Sequence, residues 1–177
     1  MLQKENLCFT GPILSPIKRE ECDMATARDD HANADQRFME DALNEARRGF
    51  EAGGIPIGSV LVRAGRIIGA GHNQRVQNSD PIAHGEMECL KNAGRQRSYR
   101  DTNIYTTLSP CMMCTGTILQ FQIPRVVIGE NKTFGGNEAL LRSRGVEVVV
   151  LDNEECEALM ARFIKAHPEI WHEDIGN

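Results

Sequence analysis

The sequence lacks any uninterrupted apolar run of about 18 residues, so we expect no membrane-spanning helix. Its first segment also lacks the apolar core of a secretory signal, because charged residues at positions 18–21 interrupt it. Six cysteines are present, but only Cys111 and Cys114 form a C-x-x-C pair. Without a secretory signal, we expect reduced thiols in a cytoplasmic protein rather than a disulfide framework.

Positive charge is also scarce. Aspartate and glutamate number 25 against 20 lysines and arginines, which gives a net charge of −5. The segment 152–177 is especially acidic, with only Arg162 and Lys165 as basic residues. Nucleic-acid-binding proteins usually present a basic patch that neutralises phosphates. We therefore expect a small-molecule substrate and no nucleic-acid partner.

One pair of short motifs has a specific chemistry. His84-Gly85-Glu86 is followed by Pro110-Cys111-x-x-Cys114, the H-x-E and P-C-x-x-C pattern typical of zinc-dependent nucleobase deaminases. A catalytic zinc takes three protein ligands and leaves its fourth position to water. His84, Cys111 and Cys114 supply three ligands for one Zn²⁺ per chain, and Glu86 is then the carboxylate that moves protons.

Other interpretations of these residues are weaker. An isolated C-x-x-C can be a redox motif, half of a structural zinc site or a chance occurrence. A structural site needs a fourth ligand at motif spacing, and no other cysteine forms a second pair. A non-catalytic binding module stabilised by zinc would keep the three ligands but would have no use for Glu86.

Apolar periodicity divides the chain at about residue 35. Residues 1–34 show no sustained period, and we interpret them as a flexible N-terminal extension. From Asp35, apolar residues recur at helical spacing, which predicts an amphipathic helix that Gly53-Gly54 ends; these residues are Met39, Leu43, Ala46 and Phe50. Residues 35–177 are predicted to form the functional domain.

Strands and helices alternate along this domain. The β-branched runs predict five strands, at 57–62, 67–71, 103–108, 124–128 and 146–151. The first two form a hairpin across Ala64-Gly65, and a helical crossover before the fifth suits parallel pairing with the fourth. The predicted fold class is α/β: a single-domain, three-layer α/β/α sandwich with a mixed five-stranded sheet.

The predicted metal ligands lie near two helix starts. Asp80-Pro81 predicts the beginning of a helix that runs to Ala93, and Ser109-Pro110 predicts another that carries both cysteines. On a regular helix, His84 and Glu86 would point about 200° apart. Either the first turn is irregular or Glu86 bends inward. We expect the two helices to lie side by side on one face of the sheet.

Over residues 35–177 the sequence resembles the fungal-type cytosine deaminases, which have the cytidine deaminase-like fold. The metal motif is common to the whole superfamily, whereas the C-terminal Trp-x-Glu-Asp-Ile-Gly is more specific to enzymes that act on free bases. The matching stretches are Gly53–Gly58, Gly71-His72-Asn73, His84-Gly85-Glu86, Leu108–Cys111, Cys114-Thr115-Gly116, Ile128–Asn131 and Trp171 with Glu173–Gly176.

The resemblance implies hydrolysis of cytosine to uracil and ammonia in pyrimidine salvage, by a zinc-dependent homodimer. It implies a C-terminal lid over the substrate, residues 168–177. The implied substrate contacts are Asn73 to the ring carbonyl, the backbone of Gly85, Ser109 and Cys111 to the ring edge, Phe134 and Trp171 packed on the base, Asp174 to the exocyclic amine, and Ile175 in the lid.

Two departures from the family pattern leave the ring substrate open. Met112 stands where an acidic residue is frequent, and His172 replaces an aromatic residue beside Trp171. Deamination of another amino-heterocycle, such as guanine or a creatinine-like ring, is the nearest alternative. A nucleic-acid editor similar to the tRNA adenosine deaminases is a further one, against which the acidic tail argues.

Overall fold

The computed structural model describes the backbone of residues 16–176 and the side chains of residues 32–176. The chain divides into two compact units, residues 1–36 and 37–177. Helix α1 (Pro16–Glu51) begins well before Asp35, where the apolar periodicity starts. Residues 1–15 of the predicted extension lie outside the described residues, and the flexibility of the extension stays a prediction.

The second unit alternates strands with helices, as the sequence predicts. The strands are β1 (Gly58–Arg63), β2 (Arg66–His72), β3 (Thr102–Leu108), β4 (Arg125–Glu130) and β5 (Glu147–Val150). The helices after α1 are α2 (Arg75–Asn78), α3 (Gly85–Ala93), α4 (Met112–Phe121), α5 (Glu138–Ser143), α6 (Glu154–Ala166) and α7 (Pro168–Ile175). Within the described part of the chain, no helix combines the length and the apolar character needed to cross a bilayer.

All five strands form one mixed sheet in the order β2-β1-β3-β4-β5. Strand β1 pairs antiparallel with β2 and β3, whereas β3–β4 and β4–β5 are parallel. Ala64 and Gly65 both have positive φ, as a tight hairpin turn between β1 and β2 requires. The predicted mixed sheet, its hairpin and the parallel fifth strand are confirmed.

Helices cover both faces of this sheet. Ile104 packs in a cluster with residues of α3 and α4, whereas its neighbour Tyr105 contacts Phe38 of α1 with their rings tilted and their centroids 5.3 Å apart. Successive side chains of a strand point to opposite faces, so the part of α1 from residue 37 onwards lies across the sheet from α3 and α4. The predicted core face of α1 is confirmed, because Met39 and Leu43 are buried.

Both helices of the metal motif begin later than predicted. Helix α3 begins at Gly85 rather than near Asp80, and α4 begins at Met112 rather than after Ser109. The Asp80 side chain accepts a hydrogen bond from the backbone N–H of Ile82, which closes a local turn in place of a helix cap. The later starts leave His84 and Cys111 as N-cap residues with extended backbones.

A close backbone contact sets the position of α3 on the sheet. A Cβ atom placed on Gly71 of β2 would lie 2.6 Å from the backbone nitrogen of Cys89 and 2.8 Å from the carbonyl carbon of Glu88. Only glycine leaves enough space for the helix backbone to approach this closely. The contact fixes the height of α3, and therefore of His84, above β1 and β2.

We expect Gly71→Ala to destabilise the protein by about 1–3 kcal/mol, because the added methyl group forces α3 away from the sheet. Gly116→Ala is the matched control, since a Cβ atom at Gly116 meets no atom within 4 Å. In a helix interior this change should stabilise by about 0.5–1 kcal/mol. Urea denaturation of the full chain measures both, and equal stability of the two variants would contradict the contact.

Candidate active site

The three predicted metal ligands converge from two separate segments of the chain. His84 Nδ1 lies 3.5 Å from Cys111 Sγ and 3.7 Å from Cys114 Sγ. One ligand atom from each side chain lies within 4.8 Å of the others. His84 precedes α3 as its N-cap, Cys111 precedes α4, and Cys114 lies in the first turn of α4. Because His84 stands outside the helix, its side chain and that of Glu86 are free of the regular 200° separation.

Electrostatics favour a cation between these side chains. The pKa of Cys111 is lowered to about 4, chiefly by a hydrogen bond from the Cys114 thiol and also by the His84 ring, against the opposing effect of burial. The same sulfur–sulfur hydrogen bond raises the pKa of Cys114 well above its usual value. The protein thus holds a thiolate, a second sulfur and an imidazole together, which is a donor set that suits zinc.

Glu86 is a buried acid beside the ligands. Its side chain belongs to the first turn of α3 and is 3% exposed. Burial raises the pKa of Glu86 to about 7, and the negative charge of Cys111 contributes to the same shift. A carboxyl group whose pKa lies near neutrality can both take up and release a proton.

His84, Cys111 and Glu86 line one cavity of about 510 Å³, a volume usual for small-molecule sites. Most of the predicted substrate contacts line the same cavity: Ser109, Phe134, Trp171, Asp174 and Ile175. Asn73 and Gly85 do not line the cavity. Both lie against the backbone of Ile57, which does line it. The structure therefore brings the predicted residues together in one region.

The C-terminal segment forms a helix rather than a tail. Pro168 occupies the first turn of α7, and His167 precedes it as the N-cap residue. Trp171 is 5% exposed and meets Phe134 edge-to-face, with 6.2 Å between ring centroids. Ile175 packs against the same apolar cluster. Helix α7 thus supplies an aromatic and aliphatic wall to the cavity.

Asn73 is buried with one half of its amide unpaired. Its Oδ1 accepts a hydrogen bond from the backbone N–H of Arg75 at 3.0 Å. Its Nδ2 is buried without a hydrogen-bond partner among the described residues. An unpaired buried donor costs free energy, and a ligand carbonyl would satisfy it. This supports the predicted contact of Asn73 with a ring carbonyl.

Ser109 is part of a network that orders the loop around Phe134. The Ser109 hydroxyl donates to Glu138 Oε1 at 2.8 Å and accepts from the backbone N–H of Gly136 at 3.2 Å. Asn131 donates to the same Glu138 oxygen. The sequence offered no signal for this role of Glu138, because a lone acid at the start of a short helix is usually solvated.

The two departures from the family pattern differ in position. Met112 is 61% exposed, and together with Met113 it lines the cavity. Met112 is therefore an exposed residue at the cavity and not part of the core. His172 is exposed and is not among the residues that line the cavity. The presence of histidine rather than an aromatic residue at position 172 therefore does not alter the residues that line the cavity.

Comparison with known proteins identifies the same motif. Residues 32–130 match the cytidine and deoxycytidylate deaminase zinc-binding region. A cytosine deaminase from Candida albicans is 52% identical over 145 residues, which are 80% of this chain and 97% of that protein. A tRNA-specific adenosine deaminase from Streptococcus pyogenes is 41% identical over 107 residues, covering 58% of this chain and 67% of that protein.

Solved structures of deaminases share the fold of this chain. A tRNA:A34 deaminase that edits adenosine to inosine superposes with a TM-score of 0.64 at 31% identity, over 70% of this chain and 99% of that one. A guanine deaminase from Nitrosomonas europaea shares the fold, with a TM-score of 0.63 at 21% identity, over 71% and 82% of the two chains. The chain belongs to the cytidine and deoxycytidylate deaminase family of zinc-binding proteins.

Proposed function

We propose that this protein hydrolyses the free base cytosine to uracil and ammonia. The observation that carries the proposal is the shared cavity, which His84, Cys111 and Glu86 line together with the aromatic wall from α7. The similarity to the Candida albicans cytosine deaminase, which extends over 97% of that protein, supports the same substrate. The relatives that act on tRNA match a smaller share of this chain.

The chain's residues have distinct parts in the proposed reaction. His84, Cys111 and Cys114 would hold zinc, which would supply hydroxide near neutral pH by lowering the pKa of a water molecule. Glu86 takes up the proton of that water and delivers it to the ring nitrogen beside C4. The oxygen of the water bonds to C4 first; Glu86 then takes the proton of the new C4 hydroxyl group and gives it to the amine, so that the C4–N bond breaks, the C4 carbonyl forms and ammonia leaves.

The remaining residues orient the ring. In the proposed complex, Phe134 and Trp171 pack on the base and Ile175 closes over it. Asn73 donates to the ring carbonyl, and Asp174 accepts from the exocyclic amine. The backbone of Gly85, Ser109 and Cys111 meets the ring edge. In a dry pocket each unmatched polar group is left unpaired, so these contacts discriminate between ring substituents.

Several broader proposals accompany this function. Residues 35–177 form the deaminase domain, residues 168–177 act as its lid over the base, and residues 1–34 are an N-terminal extension to it. The protein works in pyrimidine salvage as a cytoplasmic homodimer without a nucleic-acid partner. The net charge of −5 supports the last point, and the resemblance to fungal-type cytosine deaminases supports the dimer.

The substrate is tested by ammonia release from zinc-loaded protein given cytosine, with cytidine, guanine and creatinine in parallel. We expect rapid release from cytosine and none from cytidine, because the α7 wall encloses a base without ribose. Release from cytidine would show that Trp171 and Ile175 do not close the pocket. Activity on guanine or creatinine alone would contradict the assigned ring and leave the role of Glu86 intact.

We expect Glu86→Gln to keep zinc and lose turnover by about 100-fold or more, because the amide has the shape of the acid but cannot move a proton. Ammonia release and metal analysis of the same sample measure the two properties. A near-normal rate in this variant would show that another group transfers the proton. Loss of zinc would show that Glu86 supports the metal site instead.

Asn73→Asp keeps an oxygen that can accept from the Arg75 N–H but removes the amide donor. We expect kcat/KM for cytosine to fall by about tenfold to a hundredfold, since the ring carbonyl loses its hydrogen bond. Steady-state kinetics measure the change, with zinc content as the control. Unchanged kcat and KM would contradict the contact between Asn73 and the base.

A further inference from the structure

An arginine behind the cavity contacts both of the polar side chains that would orient the base. Arg75 is the first residue of α2, two positions after Asn73, and its side chain is 12% exposed. No sequence motif indicated a role for it. Its guanidinium group contacts Asp174 of α7, a residue that lies 99 positions later in the chain.

The strongest contact of Arg75 is with Asp174. Nη1 of Arg75 lies 2.7 Å from Oδ1 of Asp174, whose side chain is 5% exposed. His84 Nε2 also lies 3.7 Å from Oδ1 of Asp174, but an imidazole ring carries a positive charge only when it is protonated. A carboxylate this far removed from water needs a paired cation to stay ionised and fixed in direction. Arg75 supplies that cation from outside the cavity, since it is not among the lining residues.

A second arginine contact, to Glu173, differs in its surroundings. Nη2 of Arg75 lies 3.3 Å from Oε1 of Glu173, whose side chain is 74% exposed. Exposed ion pairs contribute little, because water competes with them. Of the two ion pairs that Arg75 makes with α7, the one with Asp174 is therefore the stronger.

The backbone of Arg75 acts on Asn73. Its N–H donates to Asn73 Oδ1 at 3.0 Å, which occupies the acceptor side of that amide. The donor side, Nδ2, is then the half left buried and unpaired. Arg75 thereby fixes which end of the Asn73 amide is presented to a ligand, while its side chain fixes the carboxylate of Asp174.

We infer that Arg75 is a positioning residue that orients Asn73 as a hydrogen-bond donor and Asp174 as an acceptor, and so sets the preference for a ring with a carbonyl and an amine. This inference rests on the proposed function. A cytosine ring offers a carbonyl acceptor and an amine donor, which is the complement of that pair. Because Arg75 does not line the cavity, it acts through the two side chains that it holds.

The side chain and the backbone of Arg75 can be separated by mutation. Replacing the side chain leaves the contact of the Arg75 N–H with Asn73 in place. Any loss of cytosine affinity in such a variant is therefore caused by the lost contact with Asp174. A double-mutant cycle between Arg75→Met and Asp174→Asn isolates this coupling. Glu173 still pairs with Arg75 when Asp174 is neutral, so the single Asp174→Asn variant does not leave the guanidinium group without a partner.

The cycle is measured as the dissociation constant of cytosine, by titration calorimetry of zinc-loaded full-length protein in the Glu86→Gln background, where no turnover interferes. We expect Arg75→Met to weaken cytosine binding by about 10- to 100-fold, the usual effect of losing a supporting partner. Adding Arg75→Met to Asp174→Asn should weaken it further by no more than about twofold.

Two further variants serve as controls. Arg47→Met removes an arginine that also joins two helices, through Glu155, but lies away from the cavity, and it should leave cytosine binding unchanged. Arg75→Lys keeps the charge without the planar fork, so it should bind cytosine more weakly than the protein with Arg75 and more tightly than Arg75→Met. It also keeps the inference testable if Arg75→Met does not fold.

The outcomes separate this inference from the proposed function. Suppose that the Glu86→Gln protein binds cytosine, and that adding Arg75→Met or Arg75→Lys to it leaves the dissociation constant unchanged. The positioning role is then wrong, and the proposed function stands. Additive losses in the cycle would also overturn the inference, since Arg75 would then act by holding α7 rather than through Asp174. Absence of cytosine binding in the Glu86→Gln protein, together with no ammonia release by the wild type, would overturn both.

Discussion

The convergence of one imidazole and two sulfurs is the constraint on which the rest of the structure depends. His84 and the two cysteines come from segments 27 and 30 positions apart, and their ligand atoms meet only because α3 and α4 begin beside each other. The position of α3 on the sheet is set by a close backbone contact between Gly71 and Cys89. The sheet therefore acts as the support that holds three donors at bonding separation.

The same convergence concentrates negative charge in a poorly hydrated place. Cys111 is held as a thiolate, with its pKa near 4, and its charge adds to the burial that raises the pKa of Glu86. Asp174 adds another buried carboxylate, which Arg75 partners. A metal cation and an arginine thus balance the acids from two sides. Between them lies the cavity in which α7 supplies the apolar wall.

The sequence predicted the fold and most of the site because their signals are local. Alternating β-branched runs gave the strands, and motif spacing gave His84, Glu86, Cys111 and Cys114. The predicted starts of α3 and α4 were wrong, although Asp80 and Ser109 are residue types that commonly cap helices. In the structure the Asp80 side chain closes a turn and the Ser109 hydroxyl hydrogen-bonds to Glu138. Arg75 was missed because its partner Asp174 lies 99 positions away, and no local pattern reports a pairing over that distance.

Zinc K-edge X-ray absorption on the zinc-loaded protein tests the central claim, that these three side chains form one open metal site. We expect two sulfur ligands at about 2.3 Å, one imidazole nitrogen at about 2.0–2.1 Å and one further light atom from solvent. Cys114→Ser should remove one sulfur from that shell. A shell of four sulfurs, or a spectrum unchanged in Cys114→Ser, would place the zinc elsewhere and contradict the account.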